Sequence, residues 1–106
     1  MDTNKLTNAT VKAAFDAWQK GDAKTFQSYF TSDAKLYDDG LPRNFIGFIK
    51  DACGHEKFTT IDKVTNNGLE IFGHYHTESW GDFNTYFKFH ISAEGKIEQL
   101  DIGQAN

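Results

Sequence analysis

The chain has 106 residues, a formal net charge of −4 and a single cysteine. This length fits one domain, residues 1–106, and the lone Cys53 excludes an internal disulfide and a multi-cysteine zinc site. Its 10 Lys and one Arg are scattered, which argues against nucleic acid and a charged membrane surface as partners. The polar start, Met1–Lys5, lacks the apolar core of a signal peptide, and no apolar run approaches the roughly 20 residues that span a bilayer. These features predict a cytoplasmic protein.

Aromatic residues are numerous, with 10 Phe, 4 Tyr and 2 Trp. Each can bury on the order of 150–250 Å² of surface. Such a set fits a dense core, and it equally fits large side chains that leave a ligand-sized hollow between them. Both alternatives stay open at this point.

Two short amphipathic helices open the chain. Thr7 or Asn8 caps the first, and its apolar residues follow the three-four spacing of one buried face until Gly21 ends it. Asp22 caps the second helix, which ends at residues 31–33. The inward-facing residues of the two helices are Val11, Ala14, Phe15, Trp18, Phe26, Tyr29 and Phe30.

A short strand over residues 34–38 follows, with Leu36 as its apolar residue and the turn Asp39-Gly40 after it. Asn44 is placed to cap a third helix, which Gly54 closes. The inward-facing residues of this helix are Phe45, Phe48, Ile49 and Ala52.

From residue 58 onward the apolar period changes to two, which predicts strands. Helices followed by a meander of strands predict an α+β fold in which helices pack on one face of a curved sheet. Tight turns make neighbouring strands antiparallel. The four predicted strands are residues 58–65, 69–79, 83–92 and 97–104. Their inward-facing residues are Leu69, Ile71, Gly73, Tyr75, Thr77, Phe83, Thr85, Phe87, Phe89, Ile91, Leu100, Ile102 and Gln104.

Three segments resemble a known superfamily. Residues 15–22 (FDAWQKGD), 29–38 (YFTSDAKLYD) and 95–97 (GKI) look like the nuclear transport factor 2-like superfamily, which includes ketosteroid isomerase and the SnoaL-like polyketide cyclases. The resemblance covers nearly the whole chain and implies a single SnoaL-like domain, a cone-shaped, cystatin-like barrel of three N-terminal helices on a curved, mainly antiparallel sheet. It also implies a pocket between the first helices and the concave sheet face.

The resemblance singles out Asp38. In ketosteroid isomerase the strand after the second helix ends in an Asp that acts as general base, and aligning the shared Asp33-Ala34 step places Asp38 at that position. An aspartate in an apolar pocket favours its protonated form, which suits proton transfer next to a carbonyl. The alternative is that Asp38 and Asp39 are solvated turn residues before Gly40.

The other isomerase residues are not matched. The tyrosine donor falls at Ala14 and the neutral acid at about Phe87, so ketosteroid isomerase activity itself is disfavoured. Four inward-facing polar residues are candidate replacement donors, or else core residues whose polar tips are satisfied by neighbours. They are Trp18, Tyr29, Tyr75 and Gln104. The predicted ligand pocket comprises Ala14, Trp18, Tyr29, Leu36, Tyr75, Phe87, Phe89, Leu100, Ile102 and Gln104.

The outward sheet face carries Phe72 and Tyr86 beside His74. This composition fits the homodimer through the convex face that the resemblance implies. His74, His76 and Glu78 lie two apart along one strand, so a weak zinc site is an alternative, but a polar or dimer-contact surface is the favoured interpretation and no metal site is predicted.

Two functions of different classes follow. The first is a cofactor-independent enzyme, an isomerase, cyclase or hydratase, that uses Asp38 as base on a small apolar carbonyl compound. The second is a non-catalytic module that binds an apolar ligand or dimerises. No Gly-rich phosphate loop, no nucleophile elbow and no Cys-His pair at a recognisable spacing is present, so covalent catalysis is poorly supported. We favour a small-molecule pocket protein with proton transfer at Asp38.

Overall fold

The computed structural model describes residues 3–105, so residues 1, 2 and 106 of the predicted domain lie outside the described part. Three helices form where the sequence predicts them: α1 (Ala9–Gln19), α2 (Ala23–Ser28) and α3 (Phe45–Ala52). Each begins at a predicted cap, whose side-chain oxygen accepts a hydrogen bond from a backbone N–H three residues later. The caps are Asn8, Asp22 and Asn44, bonded to the N–H groups of Val11, Thr25 and Gly47.

Within this described part of the chain, seven strands form one sheet, in the order β2-β1-β7-β6-β5-β3, with β4 also paired to β5. All pairs are antiparallel except β1 with β7, which is parallel. The predicted α+β fold, three helices on a curved and mainly antiparallel sheet, is therefore confirmed, and the sheet does not close on itself. The strands are β1 (Phe30–Asp38), β2 (Leu41–Arg43), β3 (Glu56–Phe58), β4 (Lys63–Thr65), β5 (Glu70–Thr77), β6 (Gly81–Ile91) and β7 (Ile97–Gln104).

The structure corrects the prediction of one strand over residues 58–65. Two short strands, β3 and β4, lie there instead, and both pair with β5. Between them the Thr60 hydroxyl accepts a hydrogen bond from the backbone N–H of His74 at 3.1 Å, where a regular ladder would use a carbonyl. The Thr60 carbonyl also lies so close to Gly73 that a Cβ there would overlap it. The strand is therefore interrupted at Thr60, where a side-chain hydroxyl replaces the usual backbone acceptor and the backbone closely approaches Gly73.

Two further differences concern β1 and β2. The first strand begins at Phe30, four residues earlier than predicted, and Phe30 belongs to it rather than to the second helix. The turn Asp39-Gly40, in which both residues have positive φ, joins β1 to a strand that was not predicted. A two-residue turn of this kind matches the twist of paired strands, which explains why β2 folds back along β1.

The predicted alternation of sheet faces is confirmed along β5, where Ile71, Tyr75 and Thr77 are buried and His74 and His76 are exposed. Helices cover the buried face. Trp18 of α1 stacks on Phe48 of α3, with ring centroids 5.2 Å apart, and meets Phe87 of β6 edge-on at 5.6 Å. Aromatic pairs of this geometry contribute about 0.5–1.5 kcal/mol beyond the area that they bury. The dense aromatic core that the composition predicts is therefore present around α1.

The convex face pairs Phe72 with Tyr86, whose ring centroids lie 6.3 Å apart. Lys63 and Lys88 extend over these rings, with ammonium groups 4.7 Å from Phe72 and 4.9 Å from Tyr86. Both rings are half-buried, and His74 beside them is exposed. The homodimer through this face stays a prediction.

Over residues 3–105, no helix combines the length and the hydropathy that crossing a bilayer requires. Cys53 is a free, buried thiol at the end of α3. Burial raises the pKa of this thiol, and the charge of Asp22 raises it further. Cys53 therefore fits the small buried hydrophobe that its sequence context indicates better than a nucleophile.

We expect Gly73→Ala to destabilise the protein by about 1–3 kcal/mol, because the new methyl group overlaps the Thr60 carbonyl and the backbone must shift. Urea unfolding monitored by circular dichroism measures the change. Asn84→Ala, at an exposed position of the neighbouring β6, is the control and should stay within about 0.5 kcal/mol of the wild type. Equal stability of the two variants would contradict the close approach at Gly73.

Candidate functional site

A cavity of about 190 Å³ opens at one end of the sheet. It lies where β1, β5 and β7 end and β6 begins, with α3 and β3 as its other walls. Its floor is aromatic and its rim carries charges. The lining residues are Asp38, Asp39, Arg43, Phe48, Glu56, Tyr75, Thr77, Trp80, Phe83, Thr85, Phe87, Ile102, Gly103 and Gln104.

Asp38 stands at the rim of this cavity, at the end of β1. The hairpin turn brings Arg43 of β2 back beside it, and the guanidinium contacts the Asp38 carboxylate at 2.9 Å. The two side chains are 35% and 39% exposed. Arg43 also extends over the Phe48 ring, with its guanidinium carbon 5.0 Å from the ring centroid. Asp38 is therefore an ion-paired rim residue rather than a carboxyl enclosed by apolar walls.

The neighbouring Asp39 takes part in the turn. Its carboxylate accepts a hydrogen bond from the backbone N–H of Gln104 at 3.1 Å, and its own N–H bonds to the Ile102 carbonyl at 2.9 Å. These bonds tie the hairpin to the end of β7. The turn interpretation thus fits Asp39, while Asp38 belongs to the cavity.

Glu56 is a second cavity carboxyl, which the sequence reasoning missed. It is the first residue of β3 and is half-buried. Burial raises its pKa above the usual value, although the Tyr75 hydroxyl and the Arg43 charge act in the opposite direction. In the sequence, Glu56 lies two residues before the inward-facing Phe58. Residues two apart on a strand share a face, so Glu56 also faces inward once β3 is known to begin at residue 56.

Two buried donors meet beside Glu56. Among residues 3–105, neither the Tyr75 hydroxyl nor Trp18 Nε1 has a hydrogen-bond partner, and both atoms are enclosed. Burial raises the pKa of Tyr75 strongly and the Glu56 charge raises it further, whereas the Trp18 N–H lowers it. Glu56 and Trp18 are thus the polar neighbours of the Tyr75 hydroxyl.

The predicted pocket residues fall into three groups. Tyr75, Phe87, Ile102 and Gln104 line the same cavity as Asp38, although Gln104 is exposed at the rim rather than turned inward. Trp18 lines a second cavity, and Tyr29 lies in a surface depression between α1 and α2. The others are packed in the core and line none of these spaces: Ala14, Leu36, Phe89 and Leu100.

The second cavity, of about 280 Å³, lies between the end of α1 and the start of β3. Its walls are polar and include His55, His76 and Glu78. Glu56 lines both cavities.

Each of the four histidines contacts a carboxylate. The pairs are His55 with Glu78 at 2.8 Å, His74 with Asp62 at 3.0 Å, His76 with Asp82 at 2.6 Å and His90 with Asp101 at 2.8 Å. Within the described part of the chain, no group of three or more His, Cys, Asp or Glu side chains is arranged to hold a metal ion.

Comparison with known proteins supports the fold. A scan against protein-family models and a search of curated proteins find no match. Among solved structures, an NTF2-like protein of unknown function from Cytophaga hutchinsonii matches 99% of this chain and 95% of its own, with a TM-score of 0.75 at 12% identity. The chain has the nuclear transport factor 2-like fold.

Other solved structures with a similar fold come from proteins of different kinds. A candidate polyketide cyclase from Xanthomonas campestris matches 98% of this chain and 93% of its own, with a TM-score of 0.68 at 16% identity. The Orange Carotenoid Protein of Anabaena, solved with canthaxanthin bound, matches 90% of this chain but only 35% of its own, with a TM-score of 0.69 at 18% identity. At these identities the likeness shows the fold alone.

We expect Glu56→Gln to raise the melting temperature at about pH 7 and to have a smaller effect at about pH 4. Since the folded protein raises the pKa of Glu56, this carboxyl favours folding at low pH, and that contribution is lost as the pH rises through the folded pKa. Glutamine keeps the neutral shape at every pH. Differential scanning calorimetry at both pH values measures the difference, with Glu94→Gln in an exposed turn as control. A gain confined to acid pH would contradict the raised pKa.

Proposed function

We propose that this domain binds a small, neutral, largely apolar molecule in the cavity beside Asp38. The observation that supports it is a cavity with aromatic walls and a few converging polar groups at one end of the sheet. Its volume is below the roughly 300–1,000 Å³ of typical ligand pockets. The ligand is therefore about the size of a single ring, and a steroid-sized molecule does not fit.

The charges at the cavity favour a neutral ligand over an anion. Three carboxyl groups line it, those of Asp38, Asp39 and Glu56, against the single cation Arg43. Because Arg43 is already paired with Asp38, little positive charge remains for an incoming carboxylate or phosphate.

We further propose proton transfer as the activity of this site, with Asp38 as base and a carbonyl compound as substrate. Asp38 and Glu56 line one cavity but differ in environment, since Asp38 is ion-paired while burial raises the pKa of Glu56. Two carboxyls held in different environments are suited to opposite roles in moving a proton. Glu56 is the candidate for returning the proton that Asp38 removes.

The second candidate function is binding without catalysis. The ion pair between Asp38 and Arg43 favours it, because the carboxylate is already engaged by a guanidinium. Turnover measurements decide between the two functions.

The first test concerns binding. Ile102→Phe adds volume to the cavity wall and should weaken binding of acetophenone, a small aryl ketone, about tenfold or more, equivalent to ~1.4 kcal/mol. Tryptophan fluorescence titration measures it, because Trp80 stands at the cavity mouth. Ile46→Phe makes the same change on the exposed side of α3 and should leave the affinity unchanged. Equal affinities of both variants would place the ligand outside this cavity.

The second test concerns catalysis. Asp38→Asn should leave the fold intact and reduce the exchange of the acetophenone methyl protons in D₂O by about 10²–10⁴-fold, the usual contribution of a general base. Proton nuclear magnetic resonance follows the exchange, and Asp33→Asn at an exposed position of the same strand is the control. Unchanged exchange in Asp38→Asn would leave binding as the function.

A further inference from the structure

Trp80 is the most exposed large apolar side chain among residues 3–105, at 79%, ahead of Leu41 and Ile46. Of these three, Trp80 is the one that lines the cavity beside Asp38. Within the same residues its indole pairs with no other ring and no cation, whereas Trp18 contacts three rings. A scattered exposed apolar residue is ordinary, but an uncovered aromatic ring at the mouth of a cavity is suited to contact a ligand.

The main chain that carries this indole is held in place. A three-residue loop, residues 78–80, joins Thr77 of β5 to Gly81 of β6. The hydroxyl of the buried Thr77 accepts a hydrogen bond from the Trp80 backbone N–H at 2.8 Å and donates one to the Gly81 carbonyl at 2.9 Å. Gly81 has a φ of 78°, the left-handed conformation with which a hairpin loop of this length closes. Since Thr77 itself lines the cavity, these bonds fix the Trp80 backbone relative to the cavity wall.

We propose that Trp80 forms the outer wall of the ligand site, with its indole against a flat aromatic ring bound in the cavity. This inference rests on the proposed function and narrows the ligand class, from small apolar molecules in general to those with an aromatic ring. Four further aromatic side chains line the same cavity: Phe48, Tyr75, Phe83 and Phe87. A bound ring therefore meets aromatic side chains at the inner walls and at the mouth.

The chemistry of an indole favours a flat aromatic ring over a saturated one. Two aromatic rings attract each other in offset-stacked or edge-to-face arrangements, in addition to the apolar area that they bury. A saturated ring of the same size gains only the burial. An indole face also attracts cations, but Asp38 is already paired with Arg43 and burial raises the pKa of Glu56, so the cavity offers a cation little free negative charge.

A matched pair of ketones tests this wall: acetophenone, and cyclohexyl methyl ketone, in which the same ring is saturated. Isothermal titration calorimetry gives the ratio of their dissociation constants, and comparing this ratio between variants cancels the different hydration of the two ketones. Trp80→Leu keeps an apolar side chain but removes the ring. We expect it to reduce the preference for acetophenone about 2- to 10-fold, the range for one aromatic pair. Trp80→Phe should keep part of the preference.

The control is Ile46→Ala, which shortens an exposed apolar side chain outside this cavity and should keep the wild-type ratio. Because Trp80 is exposed, Trp80→Leu should also keep the wild-type melting temperature. A second readout is the proton nuclear magnetic resonance spectrum of acetophenone. The ring current of a nearby indole shifts the ring protons of the bound ketone, and this part of the shift should disappear in Trp80→Leu and persist in Ile46→Ala.

The outcomes separate this inference from the proposed function. An unchanged ratio in Trp80→Leu would overturn the aromatic wall and leave the pocket standing, whether the two affinities stay the same or fall together. A ratio that falls equally in Ile46→Ala would overturn the wall as well, because a residue outside the cavity would then have the same effect. Binding of neither ketone to the wild type would overturn the pocket and the wall together.

Discussion

The packing of the Trp18 indole against three other aromatic rings is the interaction on which the rest of this structure depends. The indole touches Phe26 of α2, Phe48 of α3 and Phe87 of β6, so one side chain of α1 joins all three helices to the sheet. Replacing a buried side chain of this size by alanine typically costs about 3–5 kcal/mol. The position of α3 against the sheet, and with it one wall of the cavity, follows from this contact.

The cavity begins where the aromatic residues end. At the α1 end, the Phe58 ring packs against Phe15 and Tyr75, with ring centroids 5.5 and 5.1 Å apart. Toward the ends of β1 and β7 the side chains become polar, and the carboxyls of Asp38 and Glu56 both line the cavity. The two interpretations of the aromatic composition, a filled core and a hollow one, therefore describe opposite ends of one molecule. The extent of the packed aromatic side chains therefore limits the size of the ligand that the cavity can hold.

Local signals in the sequence were sufficient for the helices and for the sheet faces. The caps Asn8, Asp22 and Asn44 act within three residues of themselves, and the period of two along β5 reports burial directly. Predicting the site, in contrast, required contacts between residues that are far apart in the sequence. The break in the strand over residues 58–65 arises from a contact between Thr60 and β5, 14 residues away along the chain. Without the start of β3 at residue 56, the inward direction of Glu56 could not be read, and the ion pair of Asp38 required the unpredicted strand β2.

The break between β3 and β4 has a consequence for how copies of the molecule meet. These two short strands form one outer edge of the sheet, where unpaired backbone groups could accept a strand from another chain. A continuous strand over residues 58–65 would offer a long, flat template for such pairing. The irregular segment around Thr60 interrupts it, and exposed Lys57 and Lys63 add charge on either side. The same distortion that shapes the wall beside Glu56 therefore also protects the protein against aggregation through its sheet edge.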